Sequence, residues 1–334
     1  MKKASYWEAG PKKVVLCLLC PQYCKIHPGN VGVCRARKNV AGQLISLNYG
    51  EVTSFALDPI EKKPLYHFCP GSKILSVGTK GCNLSCGFCQ NWQISQADAE
   101  THEITPARLA EVVEDYGRKK QSVGLSYTYS EPLIWFEFVL DTAKLVRGKG
   151  FKNVLVTNGH VNEEPLLELL PYIDAMNIDV KSFSPAFYTK VCHGKLEPVL
   201  RTAETARKAG CHIEITNLLI PGLNDSEDEI RKLVKWVATE LGDTTPLHFS
   251  RYYPAYKFSQ PPTPIETLRK AADIAKQSLK YVYLGNVPGM EGSDTFCYEC
   301  GNKVIKRTVF GVARFSLRDG ECKYCGAPIH IIQT

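Results

Sequence analysis

Three cysteines lie within eight residues in the segment VGTKGCNLSCGFCQN, residues 77–91. Cys82, Cys86 and Cys89 are separated by three and then two residues. A structural zinc site takes four protein ligands, whereas a catalytic metal keeps one coordination position open. Three closely spaced thiols without a fourth nearby therefore predict a metal centre that can bind a small molecule. The alternative is part of a zinc site that is completed by residues elsewhere in the chain.

Most of the other cysteines also fall into groups with ligand-like spacing. The N-terminal group is Cys17, Cys20, Cys24 and Cys34, and the C-terminal group is Cys297, Cys300, Cys322 and Cys325. The C-terminal group forms two C-x2-C-G motifs, which is the spacing of a zinc ribbon, although rubredoxin-type iron would use the same ligands. The N-terminal group could hold zinc or an auxiliary iron–sulfur cluster that relays electrons. From spacing alone we favour a structural metal there.

The composition indicates a cytoplasmic protein without a membrane span. The 334 residues contain no apolar run of about 18 residues, which a membrane helix would need. The amino end lacks the apolar stretch and cleavage site of a secretory signal. Because thiols stay reduced in that compartment, the fourteen cysteines are better explained as metal ligands than as disulfide partners.

Neither the charge nor the composition of the chain excludes nucleic acid as a partner. The net charge of +7 is modest for this length and permits an acidic partner, although dispersed lysines explain it equally well. The segment between the C-terminal cysteine pairs mixes basic and aromatic residues, namely Lys306, Arg307, Phe310, Arg314 and Phe315. Such a mixture could bind nucleic acid, or it could simply form the strands of the ribbon itself.

The middle of the chain alternates short β-branched runs with amphipathic helical patterns. The predicted strands are residues 73–79, 122–128, 152–157, 174–180, 212–220, 246–253 and 281–287. Helix starts are indicated by Thr105–Pro106, by Ser226 with Glu229, and by Thr263–Pro264. This alternation predicts an α/β fold with a parallel sheet and right-handed crossovers.

We therefore predict a partial (β/α) TIM-like barrel of about six to seven units over residues 72–290. A Cys-rich N-terminal extension, residues 1–71, precedes it, and a zinc-ribbon-like module, residues 291–334, follows. Active sites of such barrels lie at the carboxyl ends of the strands. Cys82, Cys86 and Cys89 directly follow the first predicted strand, which is that position.

The C-x3-C-x2-C spacing, with the aromatic Phe88 before the last cysteine, resembles the radical S-adenosylmethionine (SAM) superfamily. In that family three cysteines hold a [4Fe–4S] cluster whose open iron chelates the amino and carboxylate groups of SAM. One electron then cleaves the sulfonium to a 5′-deoxyadenosyl radical, which abstracts hydrogen from a substrate. The resemblance implies that Cys82, Cys86 and Cys89 ligate this cluster.

Further motifs narrow the resemblance to the glycyl-radical-enzyme activase branch. They are TYSEP, VTNGH, NIDVK, LIPGLNDS and YYP. With CPQYCKIHPGNVGVC, DPIEKKPLYHFCPG and the C-terminal pairs, the chain is most similar to the radical SAM protein family of the AmmeMemoRadiSam system.

This resemblance implies a radical SAM enzyme whose substrate stays unidentified. An activase that installs a glycyl radical on a partner protein is the first alternative, and a non-catalytic zinc-binding interaction module is the second. The implied partners are an electron donor such as a flavodoxin or ferredoxin, with the other proteins of the AmmeMemoRadiSam system as further candidates.

The resemblance also suggests which side chains contact SAM. Asp179 and Lys181 flank Val180 on a predicted strand, so both should point into the barrel. In the activase family the matching pair contacts SAM near its ribose and carboxylate. An internal salt bridge is the alternative. Thr157 and Asn158 end the third predicted strand and could bond the ligand, unless they only form a turn.

One motif departs from the family pattern. Many members carry Gly-Gly-Glu after the second strand, where this chain has Tyr129, Ser130 and Glu131. Glu131 could still accept a hydrogen bond from the ammonium group of SAM. Alternatively, its carboxylate could only stabilise the start of the following helix, where the helix dipole favours negative charge. His248 and Asn286 occupy positions that could also reach SAM. A structural histidine and a turn asparagine are the alternatives for these two.

Overall fold

Short antiparallel strands make up the amino-terminal part of the computed structural model, which describes residues 2–287, 289, 291–308 and 311–333. These strands are β1 Lys2–Lys3, β2 Trp7–Ala9, β3 Val15–Cys17, β4 Lys25–Ile26, β5 Arg37–Val40, β6 Gln43–Ser46 and β7 Glu51–Val52. One small sheet has the order β1-β6-β5 and another has the order β2-β3-β4. Val15, Ile26 and Leu44 from these strands are buried in the main hydrophobic core.

Eight of the next nine strands form the central sheet. The nine are β8 Ser54–Pro59, β9 Lys73–Gly78, β10 His102–Glu103, β11 Ser122–Tyr127, β12 Lys152–Thr157, β13 Ala175–Asp179, β14 His212–Leu219, β15 Leu247–Arg251 and β16 Val282–Gly285. All except β10, which pairs with β7, belong to one sheet in the order β16-β15-β14-β13-β12-β11-β9-β8. Its neighbouring strands are parallel from β9 to β16. The sheet fits the predicted partial barrel.

The edge strand β8 differs from the predicted pattern. It pairs antiparallel with β9 along its whole length, from Ser54 opposite Gly78 to Pro59 opposite Lys73. Its sequence, SFALDP, contains aspartate and proline, which are rare within strands, and for this reason it was not predicted. The predicted boundary at residue 72 therefore divides this sheet.

Helices connect the parallel strands. They are α1 Trp92–Ser95, α2 Pro106–Lys120, α3 Phe136–Gly148, α4 Glu163–Leu169, α5 Pro185–Phe187, α6 Leu196–Lys208, α7 Glu227–Trp236 and α8 Ile265–Ala275. Shorter 3-10 segments are Pro11–Lys13, Ile60–Lys62, Pro132–Trp135 and Leu170–Tyr172, and Tyr188–Cys192 and Val237–Leu241 are π-helical. Within the described residues, none of these helices has the length and apolar character that crossing a bilayer requires.

The predicted helix starts are largely confirmed. The Thr105 hydroxyl accepts from Arg108 N at 3.2 Å, and Pro106 is the first residue of α2. The Ser226 hydroxyl accepts from Glu229 N at 3.4 Å. The Glu229 carboxylate does not complete a capping box, because it accepts from Phe183 N at 2.8 Å instead. That contact ties α7 to the loop after β13.

The C-terminal strands form two small antiparallel sheets. They are β17 Thr295–Phe296, β18 Lys303–Thr308, β19 Gly311–Phe315, β20 Leu317–Arg318 and β21 Glu321–Cys322. Arg307 is only 5% exposed, donates to Tyr66 O at 2.6 Å and lies 4.3 Å from the Tyr66 ring centre. Arg307 therefore attaches this module to the barrel and is not available to nucleic acid. Phe315, by contrast, is exposed, and Phe310 lies outside the described residues.

Candidate functional site

Cys82, Cys86 and Cys89 line one cavity of about 470 Å³ at the carboxyl ends of the barrel strands. They belong to the loop between β9 and α1. Hydrogen bonds hold this loop in place, among them Ser85 N to Cys192 O at 3.0 Å. The predicted position of the three thiols is therefore found in the structure, and the cavity is large enough for a cofactor-sized ligand.

Polar groups point at two of the three sulfurs. Leu84 N donates to Cys82 Sγ at 3.4 Å, and Asn158 Nδ2 donates to the same sulfur at 3.5 Å. Ser95 Oγ lies 3.1 Å from Cys89 Sγ. Burial raises the pKa of the Cys82 and Cys89 thiols, whereas these hydrogen bonds favour the thiolate. Asn158 thus lies at the cavity, where it orients the cysteine loop.

Glu131 forms a hydrogen-bonded group with the end of β12. Its carboxylate accepts from Thr157 Oγ1 at 2.6 Å, from Asn158 N at 2.8 Å and from Leu133 N at 2.8 Å. Burial raises the pKa of Glu131 to about 7, although these hydrogen bonds act in the opposite direction. Glu131 therefore lies in the cavity wall and also caps the 3-10 segment that follows it.

Asp179 and Lys181 both line the cavity, on either side of the buried Val180. Lys181 Nζ lies 2.6 Å from Asp179 Oδ2, so the two side chains form a salt bridge. Burial alone would lower the pKa of Lys181, but the adjacent charge of Asp179 raises it above its usual value. The pair is charged, partly exposed to the cavity and internally satisfied.

The structure separates the last two predicted SAM contacts. Asn286 lines the cavity, has a left-handed φ of 57° and donates from Nδ2 to Ser250 Oγ at 3.0 Å. His248 is buried near the amino end of β15 and is not among the described residues that line the cavity, and its contact with SAM stays a prediction. Its Nε2 lies 2.7 Å from Glu214 Oε2, and its ring stacks on Tyr283.

Sequence reasoning did not single out a buried lysine in the cavity wall. Lys63 is 2% exposed, and its Nζ lies 2.7 Å from Asp58 Oδ2. Tyr129 Oη donates to the same carboxylate oxygen at 2.7 Å, and Lys63 Nζ lies 4.5 Å from the centre of the Tyr129 ring. Asp58 and Lys63 lie in the conspicuous segment DPIEKKP, but no periodicity indicates that this lysine is buried. The side chain of Tyr129 is thereby held against β8.

The C-terminal cysteines converge as predicted. Within the described residues, Cys297, Cys300, Cys322 and Cys325 are the one group of metal-binding side chains whose ligand atoms all lie within 4.8 Å of one another. Gly301 and Gly326 follow the second cysteine of each pair in left-handed conformations, with φ of 68° and 78°. Gly301 N donates to Cys297 O at 2.9 Å, and Gly326 N donates to Cys322 O at 2.8 Å. These tight turns bring the four sulfurs together.

The N-terminal cysteines surround a small cavity of their own. Cys17, Cys20, Cys24 and Cys34 line it together with Arg37, Asn83 and Ile134. Asn83 directly follows Cys82 in the chain, so this cavity adjoins the loop of Cys82, Cys86 and Cys89. All fourteen cysteines lie within the described residues, and each of them is free of disulfides.

Comparison with known proteins identifies related chains. A family model described as the Radical SAM superfamily matches residues 76–237. The "Uncharacterized protein MJ0808" of Methanocaldococcus jannaschii is 44% identical over 339 residues, covering 99% of this chain and 100% of that protein. The pyruvate formate-lyase-activating enzyme of Clostridium pasteurianum is 28% identical over 173 residues, covering 49% of this chain and 68% of that enzyme.

A solved structure with the same fold is that of Streptococcus suis SuiB bound to S-adenosylmethionine. The TM-score is 0.51 with 13% sequence identity, and the match covers 66% of this chain and 50% of that chain. This likeness concerns the fold alone. The family match, the relatives and the three thiols at the carboxyl ends of the strands lead to one conclusion. Residues 76–237 of this chain form a domain of the radical SAM superfamily, and the chain has relatives among the pyruvate formate-lyase-activating enzymes.

Proposed function

We propose that the protein is an enzyme that cleaves SAM reductively and takes a hydrogen atom from a substrate. The superfamily implies a [4Fe–4S] cluster, which supplies the electron that converts SAM to a 5′-deoxyadenosyl radical. The observation that carries this proposal is that one loop directs three thiols, Cys82, Cys86 and Cys89, into a cavity of about 470 Å³. The substrate remains to be identified.

The donor set fits such a cluster. A cubane held by protein alone takes four cysteines, and three of the described residues that line the cavity are cysteines. Cys192, whose thiol raises the pKa of Cys86, is not among the described lining residues. Three thiols would therefore hold the cluster and leave one iron open toward the cavity.

The cavity residues offer complementary groups for SAM. Glu131 Oε2 accepts one hydrogen bond, from Asn158 N, and keeps a lone pair for the ammonium group of the ligand. Asp179 and Lys181 supply a carboxylate and an ammonium for its ribose and carboxylate. Thr157 acts by orienting Glu131, to which it donates, while Asn286 lies where it could bond the adenine end.

The chemistry requires an electron donor, for which we propose a flavodoxin or ferredoxin. An activase is the alternative function, because relatives that match about half of the chain are named activating enzymes. Proteins of the AmmeMemoRadiSam system are the candidate macromolecular partners. An activase would leave a glycyl radical on a partner protein, which electron paramagnetic resonance detects. An enzyme that modifies another kind of substrate would instead change the mass of that substrate.

The test is SAM cleavage by anaerobically reconstituted protein. We expect 5′-deoxyadenosine to form in the presence of dithionite and about four iron atoms to be bound at this site. Replacing Cys82, Cys86 and Cys89 together by alanine should abolish the product and remove that iron, because the three thiolates are its ligands.

Cys211→Ala provides the matched control. Cys211 is a buried cysteine outside the three cysteine groups, and its Sγ donates to His212 O at 3.6 Å. This variant should keep both the iron and the product. Full iron content at this site in the triple variant would contradict the assignment of the ligands, and absence of 5′-deoxyadenosine from the parent protein would contradict the function.

A further inference from the structure

We propose that the N-terminal cysteines hold an iron–sulfur cluster beside the SAM site, rather than the structural metal that their spacing favours. The four cysteines come from β3, the turn after it, the residue before β4 and the loop before β5. Cys17, Cys20 and Cys34 are buried and Cys24 is half-buried. All four line one small cavity.

The separation of their sulfurs argues against a single zinc ion. Zinc holds four thiolates in one tetrahedron, with Zn–S bonds of about 2.3 Å. The C-terminal group meets this demand, since its four sulfurs lie within 4.8 Å of one another. The N-terminal group, which is fully described, does not gather three or more sulfurs so closely. Cysteines that bind different irons of a cluster lie further apart, because the irons and sulfides stand between them.

A buried cation completes the lining. Arg37 is 1% exposed, and its Nε has no hydrogen-bond partner among the described residues. A buried polar group without a partner is costly, and a bound cluster with thiolate and sulfide ligands would supply an acceptor.

The two cysteine sites share a boundary. Asn83 directly follows Cys82 and also lines the cavity of the N-terminal cysteines. Gln22 Nε2 donates to Asn83 O at 2.8 Å. A Cβ on Gly81 would lie 2.4 Å from Cys34 O, and Gly81 has a φ of 93°, so glycine is required at this approach. Adjacent Cα atoms lie about 3.8 Å apart, and the Cys82–Asn83 peptide thus joins both sites directly.

This adjacency suits electron transfer, a role that rests on the proposed function. A one-electron donor protein of the flavodoxin or ferredoxin class would reduce the N-terminal cluster by one electron. The same electron then passes to the centre held by Cys82, Cys86 and Cys89, and the N-terminal cluster returns to its oxidised state. Tyr23 and Val33, which flank this site, are 49% and 55% exposed, so a docked donor can approach it.

The first test counts metals in the full chain, independently of SAM chemistry. In the Cys82→Ala/Cys86→Ala/Cys89→Ala variant we expect about two or four iron atoms to remain, with an equal amount of acid-labile sulfide. Adding Cys20→Ser and Cys24→Ser should remove them. A second zinc, or no residual iron in folded protein, would overturn the proposal. If the combined variant does not fold, Cys24→Ser alone should lower the total iron of the parent protein.

The second test concerns the relay. The ratio of the 5′-deoxyadenosine rate with a reduced flavodoxin to the rate with dithionite should fall by about tenfold or more in Cys24→Ser. An unchanged ratio would refute the relay while leaving the metal count valid. Absence of product from the parent protein would instead refute the proposed function.

Discussion

At the scale of single residues, the cavity contains charges that neutralise one another before any ligand binds. Asp179 and Lys181 are 2.6 Å apart, and their side chains are 31% and 17% exposed. A ligand with both an ammonium and a carboxylate can add hydrogen bonds to such a pair without leaving a net buried charge. Removing one member leaves the other without its partner, which makes this pair a test of where SAM binds.

We expect Asp179→Asn and Lys181→Met each to weaken SAM binding by about tenfold or more. An unpaired, partly buried charge costs about 1–3 kcal/mol, and 1.4 kcal/mol corresponds to about tenfold in affinity. Titration of anaerobic protein with SAM measures the effect. Iron content should stay at the parent value, because neither residue ligates the cluster.

Asp174→Asn is the matched control for this pair. Asp174 precedes the same strand at its opposite end, and its carboxylate lies 3.2 Å from Lys152 Nζ. Its loss should leave SAM affinity at the parent value. Parent-like affinity in both cavity variants would show that Asp179 and Lys181 form an ordinary salt bridge and that the ligand lies nearer Glu131.

Strand alternation could place Asp179 and Lys181 on the cavity side, because that argument needs only local periodicity. It could not show that His248, in the same barrel, lies near the start of its strand. Its partner, Glu214, is 34 residues away on the neighbouring strand β14, so the contact depends on strand register. Lys63 was missed for a similar reason, because its burial depends on Asp58 and Tyr129.

At the scale of elements, the strands with β-branched runs were predictable and the antiparallel edge was not. β9 and β11 to β16 are the seven predicted strands. β8 contains Asp58 and Pro59, and it is defined by pairing with β9 rather than by its own composition. The same limit applies to the N-terminal sheets, whose strands of two to four residues are too short to show a period.

The C-terminal module offers the test at this scale. Replacing Cys297 and Cys322 by serine should release about one zinc and unfold the module, since metal binding of about 10–16 kcal/mol provides the folding free energy of small zinc domains. Metal analysis and thermal unfolding measure this. 5′-Deoxyadenosine formation should persist, because the module attaches near the amino ends of the strands, through contacts such as Tyr283 Oη with Thr295 Oγ1 at 2.8 Å.

Cys211→Ala again serves as the control, and it should keep the zinc. Iron in place of zinc at this site would identify a rubredoxin-type centre. Loss of SAM cleavage from a variant with an intact barrel and its full iron content would show that the module contributes to the active site.

At the scale of the whole molecule, a buried polar network connects the barrel, the extension and the C-terminal module. His67 N donates to Glu214 Oε1 at 2.7 Å, and the His67 ring lies 2.7 Å from His330 O and 2.6 Å from Tyr283 Oη. Ile332 N also donates to His67 O at 2.7 Å. Three distant stretches of the chain therefore meet at one histidine, at the end of the barrel opposite the cavity of Cys82, Cys86 and Cys89.

The protonation of His67 should make this assembly sensitive to acid. Burial lowers the pKa of His67 to about 3 from its ordinary 6.5, outweighing the charge of Glu214 that acts in the opposite direction. Between these values the unfolded chain binds a proton that the folded chain excludes, so stability falls as pH decreases. His67 should account for a loss of about 2 kcal/mol between pH 7 and pH 5.

Comparison with His67→Gln isolates this contribution. Glutamine does not titrate, so the free energy of unfolding of the variant should decrease by about 2 kcal/mol less than that of the parent between pH 7 and pH 5. Urea unfolding under anaerobic conditions measures both, and the acid lability of the metal sites is common to the two proteins. His102 is exposed, and the control variant His102→Gln should show the same pH dependence of unfolding as the parent. Equal pH dependence in the parent and His67→Gln would contradict this account. It would mean that His67 is protonated in the folded protein and that Glu214 stabilises its charge. The network would then depend on an ion pair rather than on a neutral histidine.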